Sequence, residues 1–427
     1  MTELSAAIHA TESLRPMKRI LMTAFHFPPI QGSSGMQRTL RFARYLPEFG
    51  WEPIILSAHP RAYEQTAVDQ LADIPPGVKI VRAPAWDTAR HLSIAGRYPG
   101  FLARPDRWLT WWLGAVPVGI KLIHDLKPSA IWSTYPIATA HSIAATLHAR
   151  TGLPWIADFR DPMAQDGYPE DPATWRSFAR IEAHAIKHAA LSTFTTPSAI
   201  ELYRQRYPDR ADRLYLLENG YDEETFANTR DGGALNPGIR TLLHSGIVYP
   251  SERDPTKLFA ALALLRDRSP DIYAGLRIRF RAAVHDELLH TLAKRHDVAD
   301  AIETLPPVAY REALSEMLRA DALLVLQASN CNAQIPAKLY EYFRARRPII
   351  ALTDPQGDTG LTCREAGITA IAPLDKAQAI AECLARFSNS PSHGTLATDR
   401  TIEAASRHGR TRDLARMLDT VTASEST

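Results

Sequence analysis

Residues 17–57 read MKRILMTAFHFPPIQGSSGMQRTLRFARYLPEFGWEPIILS, and this segment sets the architecture that we expect for the chain. The apolar run at 18–25 predicts a strand, and apolar side chains at helical spacing over 36–49 predict a helix, which Gly50 ends. A second apolar run at 52–57 predicts another strand. Strand, helix and strand in this order predict two parallel strands joined by a crossover helix.

The alternation continues through most of the chain and predicts two α/β lobes of the same kind. Turn residues replace large apolar ones at 226–239, which predicts a linker, and a helical pattern at 397–421 closes the chain. Further strands are predicted at 78–83, 129–134, 154–158, 190–196, 213–217, 240–246, 276–282, 300–304, 322–328, 348–352 and 368–372, and further helices at 137–150, 254–268, 309–319 and 336–345.

Composition limits the class of protein. The 427 residues are 45% apolar and 22% charged, as in globular proteins of two or three domains. Lys plus Arg (49) nearly balances Asp plus Glu (47), which argues against a wide nucleic-acid surface. Cys331, Cys363 and Cys383 lack metal-ligand spacing, which favours a reducing cytoplasm. The apolar run at 20–25 is too short for a secretory signal, and no run has the length of a membrane span.

The first strand of the first lobe is followed by a loop that contains Gly32, Ser33, Ser34 and Gly35 and that precedes a helix. Small residues at a helix N-terminus expose backbone N–H groups, which suit an anion or a sugar oxygen. The alternative is a plain turn between strand and helix.

A second loop of this lobe places Asp158, Arg160 and Asp161 after an apolar strand. Ligands of parallel sheets bind at the carboxyl ends of the strands, so a carboxylate here is a candidate to accept a hydrogen bond or a proton from a hydroxyl. The alternative is an internal ion pair with Arg160 that fixes the loop.

Two basic segments follow strands of the second lobe. Arg253 and Lys257 stand at a helix start, where cations oppose the helix dipole, so we expect an anion to share the site; otherwise both are solvated. Lys338 and Glu341 lie one turn apart on another helix. The lysine can reach a phosphate and the carboxylate can accept both hydroxyls of a ribose; the alternative is a surface ion pair of little energetic value.

Taken together, these loops resemble the retaining nucleotide-sugar glycosyltransferases of family 4, which have the GT-B fold, over about residues 17–420. The motifs that carry the resemblance are Phe27-Pro28-Pro29 with Gly32, Gly35 and Arg38, Asp158-Phe159-Arg160-Asp161-Pro162, Asn219-Gly220-Tyr221-Asp222, Gly246 with Arg253-Asp254-Pro255, and Lys338-Leu339-Tyr340-Glu341-Tyr342 with Arg347-Pro348.

The resemblance implies a fold of two Rossmann-like lobes that face a cleft. An acceptor-binding lobe is expected at 17–226 and a nucleotide-sugar-binding lobe at 239–396, with the helix at 397–421 crossing back to the first lobe. The implied reaction transfers a hexosyl group from a nucleoside diphosphate sugar to a saccharide, lipid-linked or small-molecule acceptor. It implies retention of configuration, no metal ion and no cofactor besides the sugar donor.

The resemblance also implies roles for individual residues. Glu341 binds the ribose, while Arg253 and Lys338 neutralise the diphosphate. The other implied positions are Lys257, Gly246, Asn219, Gly220 and Leu339 toward the donor, Gly32, Ser33, Ser34 and Gly35 toward the acceptor, and Asp158, Arg160 and Asp161 at the reacting centre.

One position departs from the family pattern. The family has a glutamate eight residues before Glu341 that contacts the transferred sugar, and this chain has Ala333 there. The sugar and the stereochemical outcome therefore stay open. No Asp-x-Asp metal pair occurs in the sequence, which agrees with metal-free transfer. The acceptor proton goes either to Asp161 or to the departing phosphate oxygen.

Three tryptophans, Trp108, Trp111 and Trp112, lie close together between basic residues. This pattern is typical of an interfacial helix on an anionic membrane, and a core helix is the alternative. The first interpretation predicts a peripheral protein on the cytoplasmic face of the inner membrane. Other functions compatible with the sequence are a nucleotide-sugar epimerase or hydrolase, a two-lobed binding protein and a catalytically silent scaffold.

Overall fold

The structure, a computed structural model, describes residues 17–31, 34–227, 229 and 232–423. The chain divides into an N-terminal unit, Met1–Glu218 with Arg407–Thr427, and a C-terminal unit, Asn219–Ser406. The N-terminal unit has a seven-stranded sheet of order β3-β2-β1-β4-β5-β6-β7, and the C-terminal unit a six-stranded sheet of order β10-β9-β8-β11-β12-β13. All the pairings are parallel, which confirms the predicted class of two Rossmann-like α/β lobes.

The N-terminal unit alternates strands with helices along the chain. Its strands are β1 (Lys18–Thr23), β2 (Trp51–Ala58), β3 (Lys79–Ala83), β4 (Ala130–Thr134), β5 (Trp155–Arg160), β6 (Leu191–Phe194) and β7 (Leu214–Leu216). Its α-helices are Ser34–Tyr45, Thr88–His91, Thr110–Leu126, Ala138–Thr151, Pro172–His188, Pro197–Arg206 and Arg407–Ala423.

The inner strands of this sheet, from β2 through β1, β4 and β5 to β6, are mostly buried on both faces, which explains why they are apolar without alternation. In β5, Trp155 and Phe159 pack on one face with the helices that follow β3 and β4, whereas Ile156 packs on the other. The helix Arg407–Ala423 covers that second face, where Leu414 and Leu418 are fully buried.

The C-terminal unit repeats the same alternation. Its strands are β8 (Arg240–Ser245), β9 (Leu276–Arg281), β10 (Ile302–Leu305), β11 (Ala322–Gln327), β12 (Ile349–Thr353) and β13 (Ile371–Ala372). Its α-helices are Glu223–Ala227, Thr256–Arg268, Pro270–Ala274, Asp286–His296, Tyr310–Arg319, Lys338–Ala345, Asp358–Glu365, Ala377–Asn389 and Asp399–Ala404.

The boundary between the units lies at 218/219, before the linker predicted at 226–239. Glu218 belongs to the N-terminal unit because its carbonyl accepts a hydrogen bond from Arg38 (3.0 Å) and its carboxylate pairs with Arg410 (2.6 Å). Tyr221 is already buried in the C-terminal unit, where its N–H donates to the Ala405 carbonyl (3.1 Å). Local composition missed this boundary because distant side chains fix it.

Of the three tryptophans predicted to face a membrane, Trp111 lies in the core of the N-terminal unit, and Trp108 and Trp112 are partly buried against that core. Trp111 is fully buried. The indole N–H of Trp108 donates to the Ala62 carbonyl (3.1 Å), and that of Trp112 donates to the Thr146 hydroxyl (3.0 Å). These contacts favour the core alternative over the interfacial one, because the polar ends of Trp108 and Trp112 find partners inside the protein. Membrane contact of the protein stays a prediction. In the part of the chain that the structure describes, no helix has the length and apolar character needed to cross a bilayer.

Candidate functional site

The end of β8 is shaped for a close approach by Lys338. Gly246, the residue after β8, has a φ of 113°, which side chains with a Cβ rarely adopt. A Cβ at this position would lie 3.1 Å from the Nζ of Lys338. Glycine therefore provides both the backbone conformation and the space, and the structure brings these two predicted residues together.

The Nζ of half-buried Lys338 lies 3.1 Å from the Nε2 of His244, which is fully buried in β8. The Nδ1 of His244 lies 2.9 Å from the carbonyl oxygen of Leu324 on the neighbouring strand. Because a carbonyl can only accept, Nδ1 carries the proton and Nε2 accepts a hydrogen bond from Lys338. His244 is not among the residues predicted from the sequence.

Arg253 lies on the loop that leaves β8. One of its Nη atoms donates to the carbonyl of Ile247 (2.8 Å), and its guanidinium lies 5.1 Å from the ring centroid of Tyr249. Its buried Nε has no hydrogen-bond partner among the residues that the structure describes. Arg253 is thus anchored by its own loop, and its guanidinium has further N–H groups with which to bind an anion.

Glu341 lies one helical turn after Lys338 and is half-buried. Its Oε1 accepts a hydrogen bond from the hydroxyl of Tyr310 (2.6 Å), a side chain that is 52% exposed. A carboxylate that accepts one hydroxyl in this way has further lone pairs for the hydroxyls of a ribose.

The electrostatics of this cluster favour an added anion. Burial, followed by the positive charge of Arg253, lowers the pKa of Lys338 to about 7, against a smaller opposing effect of Glu341. Burial, followed by Lys338, holds the pKa of His244 well below its ordinary value, so the imidazole stays neutral. Two cations that repel each other at one strand end are stabilised when a diphosphate lies between them.

Other predicted donor residues lie elsewhere or have other partners. Lys257 is exposed and lines a separate cavity of about 520 Å³, whose lining also includes Asp254 and Asp354. Leu339 is fully buried in the core and its N–H donates to the Pro336 carbonyl (2.9 Å), which corrects the role predicted for it.

Asn219 and Gly220 begin the C-terminal unit, where the first is half-buried and the second is buried. Their predicted contact with the donor stays a prediction.

Asp158 forms the centre of a buried network in the N-terminal unit. Both of its carboxylate oxygens accept hydrogen bonds from Arg38 (2.8 and 2.9 Å), and Thr134 and Thr193 donate to it as well. Burial disfavours the charge, but Arg38 and these hydrogen bonds outweigh it and hold the pKa of Asp158 below its ordinary range. Because Asp158 is fully buried, we assign it a positioning role instead of the predicted catalytic one. Its ion-pair partner is Arg38, not Arg160.

Arg160 has a strained backbone beside a cavity. Its φ is 63°, and the N–H of Asp161 donates across it to the Phe159 carbonyl (2.7 Å), which makes a tight turn at an irregularity in β5. Its side chain lines a cavity of about 460 Å³ together with Gly35. Arg160, predicted at the reacting centre, and Gly35, predicted toward the acceptor, thus line the same cavity of this unit.

The same cavity contains a residue that sequence reasoning missed, His26, in the loop after β1. Burial, followed by the charge of Arg160, lowers the pKa of His26 to about 4, so a neutral imidazole faces the cavity. Phe25 and Trp108 supply an aromatic wall, with ring centroids 4.7 Å apart. The available signal was a histidine directly after the first strand, where ligands of parallel sheets bind.

The remaining predicted residues of this unit have three different outcomes. Asp161 is exposed, and its carboxylate lies 3.4 Å from the Thr195 hydroxyl. Ser34 begins a helix, whereas Gly32 and Ser33 lie outside the described residues. Across the described ranges, no group of three or more metal-ligating side chains is arranged to hold a metal ion.

Comparison with known proteins gives a family match for part of this chain and the fold of nearly all of it. Residues 34–220 match the family model of a glycosyl transferase 4-like domain. The search of curated proteins finds no match. Among solved structures, the chain is similar to α,α-trehalose 6-phosphate synthase from Burkholderia multivorans, with a TM-score of 0.61, 13% identity and coverage of 96% of this chain and 98% of that one.

Two further solved structures share the fold over nearly the whole chain. Anabaena HepE in complex with UDP has a TM-score of 0.59 and 12% identity, with 96% of this chain and 98% of that chain covered. Sucrose-phosphate synthase from Thermosynechococcus elongatus has a TM-score of 0.57 and 12% identity, with 96% and 97% covered. The chain therefore has the GT-B fold. Its residues 34–220 form a glycosyl transferase 4-like domain, as the sequence motifs predicted.

Proposed function

We propose that the C-terminal unit binds a nucleoside diphosphate sugar. The observation that carries this proposal is the cluster at the end of β8. There Lys338 approaches Gly246, and the charges of Arg253 and Glu341 affect the pKa of Lys338. The two cations suit a diphosphate and the carboxylate suits the adjoining ribose. The similarity of fold to HepE, which was solved with UDP, supports the same proposal.

The reaction that we propose transfers the hexosyl group to a saccharide, lipid-linked or small-molecule acceptor bound by the N-terminal unit. The cavity beside Arg160 supports this, because aromatic walls next to a few polar groups suit a sugar ring with its hydroxyls. We propose retention of configuration, in which the departing phosphate oxygen takes the proton of the acceptor hydroxyl. The resemblance to retaining enzymes supports this choice, with Ala333 as the departure from their pattern.

The residues of the C-terminal unit account for the charge that the reaction creates. Breaking the sugar–phosphate bond leaves about one more negative charge on the nucleoside diphosphate. Protonated Lys338 and Arg253 stabilise this charge as it develops, and each charge-assisted hydrogen bond is worth about 1.5–3 kcal/mol. We propose that these cations, instead of a metal ion, neutralise the charge on the leaving diphosphate.

Turnover of the purified protein with nucleotide sugars tests the proposal. Lys338→Ala and Arg253→Ala are each expected to reduce turnover by roughly 30- to 150-fold, whereas Lys294→Ala, an exposed lysine at another helix end, keeps full activity. Excess chelator leaves turnover intact. Full activity in both site variants would contradict the phosphate role, and a loss with chelator that magnesium or manganese restores would contradict the metal-free mechanism.

Product analysis separates transfer from the rival reactions. A transferase forms a glycosylated product only when an acceptor is present. Free sugar formed equally with and without acceptor indicates a hydrolase, and an altered nucleotide sugar indicates an epimerase. Either of those two results would replace the proposed reaction.

A further inference from the structure

We propose that the loop at residues 86–105 docks the N-terminal unit on an anionic lipid surface. This loop joins β3 to the helix Thr110–Leu126 and is far longer than the few residues that usually join a strand to a helix. Loops of such length in compact domains commonly have a binding role. The proposal does not depend on the reaction proposed above.

The loop exposes large apolar side chains that the core does not use. Ile94 is 85% exposed and Phe101 is 65% exposed, and Trp86, Leu92 and Tyr98 are each more than a third exposed. Single exposed apolar residues are ordinary, but here five of them fall within 16 consecutive positions of one loop.

The charge of the loop has one sign. Between Asp87 and Asp106 the sequence has Arg90, Arg97 and Arg104 and no carboxylate, so these 18 residues have a formal charge of +3 while the whole chain has +2. The two flanking carboxylates are directed inward. Asp87 is fully buried, and Asp106 accepts hydrogen bonds from the N–H and the hydroxyl of Thr139 (2.8 and 2.9 Å).

The exposed groups are held on an ordered frame. The Trp86 N–H donates to the Thr110 hydroxyl (2.9 Å), which in turn donates to the Trp86 carbonyl (2.7 Å), so the two ends of the loop are tied together. At the tip, Ile94 and Arg97 exchange two backbone hydrogen bonds (2.8 and 3.0 Å) across a two-residue turn. Little backbone conformational entropy is therefore lost when these side chains bind a surface.

The combination of residues favours a lipid surface over other partners. Aromatic and aliphatic side chains among arginines are the composition of interfacial membrane segments, in which the apolar groups enter the headgroup region and the cations meet anionic lipids. Arg61 extends this pattern, because its guanidinium lies 5.7 Å from the ring of exposed Trp86. Arg104, in contrast, is partly neutralised by Asp171 at 3.6 Å, so Arg90 and Arg97 are the cations to test.

Co-sedimentation of the full-length protein with vesicles tests the proposal. The protein is expected to pellet with vesicles of phosphatidylcholine mixed with phosphatidylglycerol, to stay in the supernatant with phosphatidylcholine alone, and to be released by salt. The double variants Ile94→Ser/Phe101→Ser and Arg90→Gln/Arg97→Gln are each expected to lower the partition coefficient at least about tenfold.

The control replaces exposed leucines of the C-terminal unit, Leu361→Ser/Leu396→Ser, and is expected to bind vesicles like the unchanged protein. Melting temperatures verify that all variants fold. The proposal is overturned if the unchanged protein does not pellet with the vesicles, or if the loop variants pellet as well as the unchanged protein. It is also overturned if the loop variants change only the oligomeric state in ultracentrifugation, because that result would assign the loop to contact with a second copy of the chain.

Discussion

The Nζ of Lys338 and the Nε2 of His244 lie 3.1 Å apart, so a buried imidazole positions the amine that we place against the diphosphate. The imidazole is itself fixed, because its Nδ1 donates to the carbonyl of Leu324 on the neighbouring strand. The position of the lysine is therefore set by the C-terminal sheet, through a residue that cannot rotate without losing a buried hydrogen bond.

Replacing His244 tests this relationship. His244→Leu removes the acceptor for Lys338 and is expected to weaken nucleotide binding by about fivefold to tenfold, the worth of one net hydrogen bond. His244→Gln, whose side-chain oxygen can accept from the amine, is expected to restore most of the affinity. Titration calorimetry with UDP measures both. Equal losses in the two variants would indicate that His244 serves packing alone.

The depressed pKa of Lys338 predicts a pH dependence of nucleotide affinity. In the free protein the amine is charged below about pH 7 and neutral above it, whereas a bound diphosphate favours the charged form. The affinity for UDP is therefore expected to fall by up to about tenfold per pH unit as the pH rises above 7. Calorimetry in buffers of different ionisation enthalpy measures the proton taken up on binding.

Lys338→Met is the control for this titration. The variant is expected to bind UDP more weakly at every pH and to show no further weakening above pH 7.

The lowered pKa of Lys338 also affects folding, because above about pH 7 the unfolded chain binds a proton that the native state lacks. The contribution of this lysine to the free energy of unfolding therefore rises with pH until its ordinary pKa is reached. A pH profile identical in both proteins would contradict the account.

Two glycines of the C-terminal unit form a matched pair. Gly246 (φ 113°) faces Lys338, whereas Gly238 (φ 86°) has no heavy atom within 4 Å of an added Cβ among the described residues. Alanine at either position is expected to lower the free energy of unfolding by about 1–2 kcal/mol, because both backbones lie in the left-handed region. Only Gly246→Ala is expected to weaken UDP binding, by about tenfold, because its methyl group displaces the amine. Equal UDP affinities in the two variants would contradict the close approach.

The strained backbone of Arg160 predicts that two variants at this position differ in stability but lose turnover alike. Glycine adopts a φ of 63° without strain, so Arg160→Gly is expected to be about 1 kcal/mol more stable than Arg160→Ala in urea denaturation. Both variants lose the guanidinium that lines the N-terminal cavity, and turnover is expected to fall at least about tenfold in each. Retained turnover in the glycine variant would remove Arg160 from the site.

Much of the architecture follows from local sequence pattern. Apolar runs bounded by turn residues located all the strands that the structure describes. The signal is strongest for the inner strands, because strands buried on both faces must be apolar throughout. The candidate site follows in part from the same rule. The carboxyl ends of parallel strands carry ligand-binding loops, which is why Arg253 was predicted before any contact was known, whereas Gly246 was implied by the family resemblance.

Contacts between distant residues explain what the sequence did not reveal. The role of Asp158 depends on Arg38, 120 residues earlier, and no local pattern reports that pairing. His244 lies inside an apolar strand and was not identified, because its partners come from another strand and another helix. A cluster of tryptophans has the same composition in a membrane interface and in a core, so only the partners of Trp108 and Trp112 distinguish the two.

Calorimetric titration of the full-length protein with UDP and GDP tests the central claim most directly. The account predicts that at least one of the two nucleotides binds, that Lys338→Ala, Arg253→Ala and Glu341→Ala each weaken its binding at least about tenfold, and that Lys294→Ala leaves it unchanged. Binding that is absent in the unchanged protein, or that is equally strong in the three site variants, would contradict the assignment of this cluster to the nucleotide.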